Sequence, residues 1–421
     1  MRQYATIVRL PGAWWLILGA FPGRLSFSMS TLAIFFHVDS ITDSVAAAGL
    51  CVGAFGLVSS LTAAFRGSLV DRFGQTGPLL TFVPAYTTSM VALAWFSHST
   101  WSCVALSGLA GLSCPPFNMS IRPLWQELAG PELTRAAYAF DSVLMNVASM
   151  AGPAVVTGIS LGSSTRTGLV VVAFTMLAGG SVILASPQSR RWQPEAKPAR
   201  QPSLVRNRAF QLMAFEGSAI GMLTGMLAVA IPAATKQAGQ SHITGVIFSA
   251  ASIGAIISGM VAGAKFKNLA PLRGLVVTQT ALALVAFLLP LTQPGVAMAV
   301  VMFLSGVTNG PAHVFYMETV DAVRPPGTQV SSLAFLWTIE GSVGALGSAA
   351  AGRLVTATSP ATVMVIAASF AVLSPLAYIV GARGVLKPAL APARELPGGR
   401  RDDHGAVEHA AHIAAGESHE G

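Results

Sequence analysis

The sequence predicts an all-α integral membrane protein, with twelve transmembrane helices arranged as two pseudo-symmetric bundles of six. Three observations carry that expectation. The 421 residues are 53% hydrophobic and only 10% charged, with a mean hydropathy of +0.63, where a soluble domain has about 25% charged residues. Stretches of the about 20 apolar residues that a bilayer-spanning helix needs recur along the whole chain, separated by short polar breaks. Lys and Arg alternate between rich and poor segments in step with those breaks.

The first bundle is expected to span Ala13 to His37, Thr42 to Phe65, Thr76 to Phe96, Trp101 to Ile121, Ala136 to Leu161 and Thr167 to Ser186. The second is expected to span Ala209 to Ala234, Ile243 to Ala264, Pro271 to Leu291, Gly295 to Met317, Thr328 to Leu354 and Pro360 to Gly381. The first apolar stretch runs on past Phe36 without an A-x-A-like site, too long for a signal peptide, so no cleavage is expected. Trp14, Trp15 and Trp101 fall at the ends of spans, where aromatic belts form.

Orientation follows from charge. With the N-terminus in the cytoplasm, cytoplasmic segments hold 21 of the 25 basic residues, and the outer segments hold only Arg166, Lys236 and Arg353. The last, Arg24, lies inside the first span. A missed span would scramble this bias, so twelve spans are expected, with both termini cytoplasmic in the cell's inner membrane. The net charge of +8 is explained by these loops, and nucleic-acid binding is discarded. Cys51, Cys103 and Cys114 all fall in apolar stretches, which leaves neither a disulfide framework nor a zinc spacing.

Residues 1–186 form the expected first bundle, 187–208 a cytoplasmic linker rich in Pro, Arg and Gln, 209–382 the second bundle, and 383–421 a disordered cytoplasmic tail. The halves look related. Gly49 and Gly67 recur as Gly245 and Gly263, Leu106-Ser107-Gly108 as Leu304-Ser305-Gly306, and Thr134 and Gly158 as Thr328 and Gly352. In duplicated transporters, substrate sites lie near the midplane between the repeats.

The break after the second span reads Gly67-Ser-Leu69-Val-Asp71-Arg72-Phe-Gly74-Gln. This closely resembles the G-x-L-x-D-R-x-G signature of the major facilitator superfamily, at the position that family requires. The resemblance implies a gate in which Gly67, Asp71, Arg72 and Gly74, with Arg122, lock the inner ends of the halves together. The plainer reading is a cytoplasmic turn. The matching segment of the second half, Gly263-Ala-Lys265-Phe-Lys267-Asn268, lacks the Asp. Gly152, Pro153 and Gly158 resemble the Gly-Pro segment of span five in drug/proton antiporters, with fewer glycines. Thr134 to Ser142 and Pro326 to Thr328 resemble actinobacterial members of the drug-efflux-like type.

A charged group in the hydrocarbon region costs about 2.5–3.5 kcal/mol or more and marks a pathway or a buried partner. Arg24 follows a Pro22-Gly23 break, Glu216 and Asp141 lie about two turns inside their spans, His313 follows Asn309-Gly310-Pro311, and Glu340 is central in its span. The repeat alignment pairs Glu340 with Asn146. By analogy with the superfamily, Arg24, Glu216 and His313 fall on helices that face a central cavity. A carboxyl in a low-dielectric cavity favours its neutral form, which makes Glu216, Glu340 and Asp141 candidates to carry protons. Arg24 is expected to bind an anionic substrate group or to pair with one of these carboxylates. The alternative is a purely structural bridge, and for Asp141 a cytoplasmic charge network with Arg122, Glu127, Glu132 and Arg135. Asn118, Gln279, Asn309 and Thr338 add polar groups that could touch a substrate.

His404, His409, His412 and His419 in the tail alternate with acidic residues. A solvated tail is the simpler account than a metal site, since no folded frame fixes the ligands. No HExxH, GxSxG or phosphate loop is present, and neither an enzyme nor a cofactor or metal is expected. The resulting expectation is a monomeric secondary transporter of a small organic molecule, working by alternating access and most simply by proton-coupled efflux. Nutrient uptake on the same fold and a non-transporting membrane sensor are the alternatives.

Overall fold

A computed structural model describes residues 6–192, 206–265, 270–323 and 329–381. The tail with its four histidines, most of the linker and the segment around Pro326 lie outside the described residues. Among the described residues there is no strand, as a bilayer requires of open chain, since only helices satisfy every backbone group internally.

The first half comprises α1 (Ala13–Thr42), α2 (Val45–Phe73), α3 (Thr76–Phe96), α4 (Thr100–Leu112), α5 (Phe117–Gly162) and α6 (Thr165–Ala185). A five-residue helix, Pro187–Arg191, comes next. The second half comprises α7 (Arg208–Gln237), α8 (Thr244–Lys265), α9 (Pro271–Ala286), α10 (Val296–Val323), α11 (Gln329–Ala357) and α12 (Pro360–Gly381). Turns are marked by side-chain caps: Ser44, Ser164 and Ser186 each accept from a backbone N–H of the helix they open, and Ser99 and Ser102 form a reciprocal capping box.

Among the described residues ten helical segments are long and apolar enough to cross a membrane. The two remaining expected spans differ for identifiable reasons. The fourth is a helix of only 13 residues, stopped by Pro115 and Pro116. Beyond these prolines the expected loop is mostly helical: 117–162 consists of two helical stretches that meet in a kink at Gly130, whose non-helical φ of 64° only glycine adopts readily. The eleventh, α11, has the length, at 29 residues, but carries Glu340, Arg353 and many small residues that lower its hydropathy. In α9 the helix stops at Ala286, and Pro290 sits in a single 3-10 turn, Leu289–Leu291.

The packing repeats with a period of six helices. In the first half α1 packs on α5 and α6, α2 on α4, and α3 on α4 and α6. In the second, α7 packs on α11 and α12, α8 on α10, and α9 on α10 and α12. Across the halves α2 packs extensively on α11, and α5 on α8, again related by six. Small residues permit these crossings. A Cβ on Gly49 of α2 would stand 2.8 Å from both the Gly352 Cα and the Ser348 carbonyl oxygen of α11. Gly245 of α8 similarly packs on the backbone of Pro153 and Ala154 in α5. Large apolar side chains such as Phe65, Phe96, Leu284 and Val380 remain exposed on the outside of the bundle, as suits a surface solvated by lipid.

Candidate functional site

A cavity of about 780 Å³ lies between the halves, within the size range of small-molecule sites. The first half contributes Phe27 and Thr31 of α1 and a strip of α2 from Val52 to Ser60. The rest of the wall comes from α7 to α11 and includes Glu216, Gln279, Asn309, His313, Tyr316 and Glu340. Three of the expected pathway residues, Glu216, His313 and Glu340, thus meet in one chamber.

Glu216 is 3% exposed. Its Oε1 accepts from Gln279 Nε2 of α9 at 2.8 Å and from Ser374 Oγ of α12 at 3.3 Å. Glu340 and Tyr378 lie close enough to interact with it electrostatically, and Tyr316 interacts with both carboxylates. Glu340 is partly buried and His313 exposed to the cavity. Five helices therefore converge on two neighbouring carboxyl groups. The Gln279 Oε1 and the Tyr316 hydroxyl are buried without a hydrogen-bond partner, unusual for buried polar atoms.

Arg24 and Asp141 stand apart from this chamber and bind each other. Arg24 Nη1 and Nη2 donate to Asp141 Oδ1 and Oδ2 at 2.7 and 2.8 Å, Nη1 also reaches the Asp141 carbonyl oxygen at 3.1 Å, and Trp125 Nε1 donates to Oδ1 at 2.9 Å. The pair ties α1 to α5, the pairing of Arg24 with one of the carboxylates that the sequence allowed. Arg24 also borders a smaller pocket of about 190 Å³ with Arg66, Cys114 and Thr338. Asn146, the repeat partner of Glu340, is exposed and is not among the residues lining the main cavity. Its register matches in sequence, but it sits on a helix that packs sideways on α1 and α8.

The signature after the second span is helix rather than loop: α2 continues through Phe73, and the chain turns only at Gly74 (φ 76°) and Gln75. Arg72 is exposed with its guanidinium 5.2 Å from the Phe73 ring centroid. The Asp71 and Arg122 side chains, like that of Asn118, lie outside the described residues. Gly67 is partly buried within α2. Gln75, just past the signature, is buried, donates to the Ser120 carbonyl at 2.9 Å and accepts from Ser189 at 3.3 Å. In α5, Gly152 packs against Ser28 of α1, Pro153 meets Gly245 of α8, and Gly158 faces open space.

Two features escaped sequence reasoning. Arg66, counted there as a loop cation, is buried and donates to the carbonyls of Gly111 at 3.3 Å, of Ser59 at 2.5 Å and of Cys114. Two of these carbonyls lie at and just past the end of α4, where the negative end of the helix favours a cation. Lys236 at the end of α7 donates to Asp39 at 2.9 Å and Asp43 at 3.0 Å, both at the end of α1. Lys236, Gly49 and Gly245 thus join the halves near the face at which α1 ends.

The comparisons with known proteins agree with this architecture. Residues 16–348 match the Major Facilitator Superfamily. An uncharacterized MFS-type transporter, y4rN, of Sinorhizobium fredii is 24% identical over 278 residues, 62% of this chain and 68% of that protein. Among solved structures, a bacterial homolog of the human lysosomal transporter Spinster, inward-facing and occupied, has a TM-score of 0.70 at 14% identity over 90% of this chain and 98% of its own. A D-xylose-proton symporter also reaches 0.70 at 14% identity, over 87% and 97%. The nucleoside transporter NupG reaches 0.68 at 14% identity, over 88% and 98%. At such identity these structures share the fold with this chain.

Proposed function

The chain belongs to the Major Facilitator Superfamily, and on that premise we propose that it exports a small organic molecule across the cytoplasmic membrane in exchange for protons. Secondary transport of a small molecule comes with the family; direction and coupling are the proposal. The observation that carries it is the pair Glu216 and Glu340, two neighbouring carboxyl groups in a cavity walled by both halves.

In this reading the cavity opens alternately to the two sides of the membrane. Protons arriving from outside neutralise the carboxyl pair and displace the substrate outward. After the halves rock, loss of the protons to the cytoplasm restores the charged site for the next molecule. The ties at the face where α1 ends, Lys236 to Asp39 and Asp43, belong to a state closed on that face. The basic-residue bias supports reading that face as external, with the cavity serving the cytoplasmic side in this state. Export over uptake is favoured by the Gly152-Pro153 segment, which packs α5 closely on both α1 and α8 and resembles the antiporter pattern.

The test is accumulation of a panel of radiolabelled organic compounds in cells with and without the protein, before and after a proton uncoupler. Export predicts lowered accumulation that the uncoupler reverses. Raised accumulation assigns uptake instead, and no change for any compound removes transport by proton exchange.

A further inference from the structure

We propose that the cavity takes a protonated amine, with its ammonium head among Glu216, Gln279 and Tyr316 and its apolar body against Phe27 and Trp337. This rests on reading the cavity as the transport site and adds the substrate's chemical class. Three acceptor oxygens converge from three helices: the Glu216 carboxylate of α7, the Gln279 Oε1 of α9 and the Tyr316 hydroxyl of α10. Gln279 is anchored to Glu216 by its own Nε2 at 2.8 Å, which leaves Oε1 buried and unengaged. That oxygen and the Tyr316 hydroxyl are without partners, although the residues are only 5% and 8% exposed.

Buried polar atoms pair in folded proteins, so two orphans beside one carboxylate describe a site completed by something that donates. A primary ammonium carries three donors and no acceptor. Among the described residues, the cavity lining includes two carboxylates, one histidine and no Lys or Arg, a field that attracts a cation and repels an organic anion. Phe27 and Trp337 present half-exposed ring surface to the same chamber, which suits an apolar or aromatic body and a cation over a ring face. A bare inorganic cation would leave that wall unused.

The experiment measures binding to the full-length purified protein in detergent, with no gradient, so it fails or succeeds independently of direction and proton coupling. The probes are tryptamine, its alcohol isostere indole-3-ethanol, the acid indole-3-propionate, and sodium chloride. Tryptamine is expected to raise the melting temperature and to bind at least about tenfold more tightly than the alcohol, the margin of a charge-assisted contact. Glu216→Gln and Tyr316→Phe are each expected to weaken tryptamine binding. Tyr316→Phe removes only a hydroxyl that has no partner in the protein, so its unliganded melting temperature should stay put. Equal binding of the three indoles, preference for the acid, displacement of tryptamine by sodium at fixed ionic strength, or indifference to both substitutions would each overturn the proposal.

Discussion

Arg24 and Asp141, 117 residues apart in sequence, form a two-pronged ion pair in which both side chains are 4% exposed. The geometry is planar guanidinium against carboxylate, with Trp125 donating to the same carboxylate and Arg24 Nη1 also donating to the Asp141 carbonyl. Removing one partner strands a charge in the bundle. Arg24→Ala or Asp141→Asn is predicted to destabilise the protein by about 3–5 kcal/mol, and an apolar double replacement, Arg24→Met with Asp141→Leu, to recover most of that. Thermal unfolding of the purified variants measures this. A single variant that melts with the parent would show that the bridge is dispensable to the fold.

Lys236 binds two carboxylates of unequal burial: the Asp39 side chain is 10% exposed and that of Asp43 94%. An exposed ion pair contributes about 0.2–1 kcal/mol, and the buried partner more. Asp39→Asn is therefore predicted to loosen the face where α1 ends more than Asp43→Asn, with Lys236→Ala at least equal to Asp39→Asn. Spin labels on the ends of α1 and α7 should report a longer distance population that grows in that order. Identical distance distributions in all four proteins would mean that these pairs do not hold the face closed.

Gly49 and Gly158 make a matched contrast. A methyl group on Gly49 must push into Gly352 and the Ser348 carbonyl of α11, whereas one on Gly158 meets nothing within 4 Å. Gly49→Ala is predicted to cost about 1–3 kcal/mol by overpacking and to slow transport, because α2 and α11 form the broadest contact between the halves. Gly158→Ala should leave both melting temperature and transport unchanged. Equal effects of the two substitutions would remove the close approach from the account.

Ten of the expected spans were legible because a bilayer enforces a length and a composition. The family signature was legible too, although Gly67 to Phe73 proved to be helix: the glycine that turns the chain is Gly74, with positive φ, and the earlier one merely sits within α2. Glu216 and Glu340 could be chosen because a carboxylate in a span is costly wherever it points. Of their shared neighbours, Gln279 stood out only as one polar residue among four, and Tyr316 and Tyr378 not at all, since these are ordinary residues in a membrane helix until five helices are packed together. Arg24 and Asp141 were each visible as anomalies, but their pairing depends on how α1 crosses α5. Arg66 was misplaced because charge counting assigns a basic residue near a span end to the loop, and here it turns back to carbonyls at the end of α4.

Glu216 and Glu340 should separate when each is replaced by Gln. At position 216 the amide oxygen can still accept from Gln279 and Ser374, so Glu216→Gln keeps the packing and removes only the ionisable group. Glu216→Leu instead leaves the Gln279 amide buried without its acceptor and should cost a further about 1–3 kcal/mol, which makes it the control for a purely structural role. Glu340 is less buried and lines the cavity directly, so Glu340→Gln changes the chamber's field with little effect on folding. In proteoliposomes, a group that carries protons is needed for transport driven by a pH gradient and not for exchange of substrate at equal pH. At least one of the two Gln variants is therefore predicted to lose gradient-driven transport by about tenfold or more, equivalent to about 1.4 kcal/mol, while keeping exchange. If both variants retain full gradient-driven transport, neither carboxyl carries the coupling proton, and proton exchange at this cavity is no longer tenable.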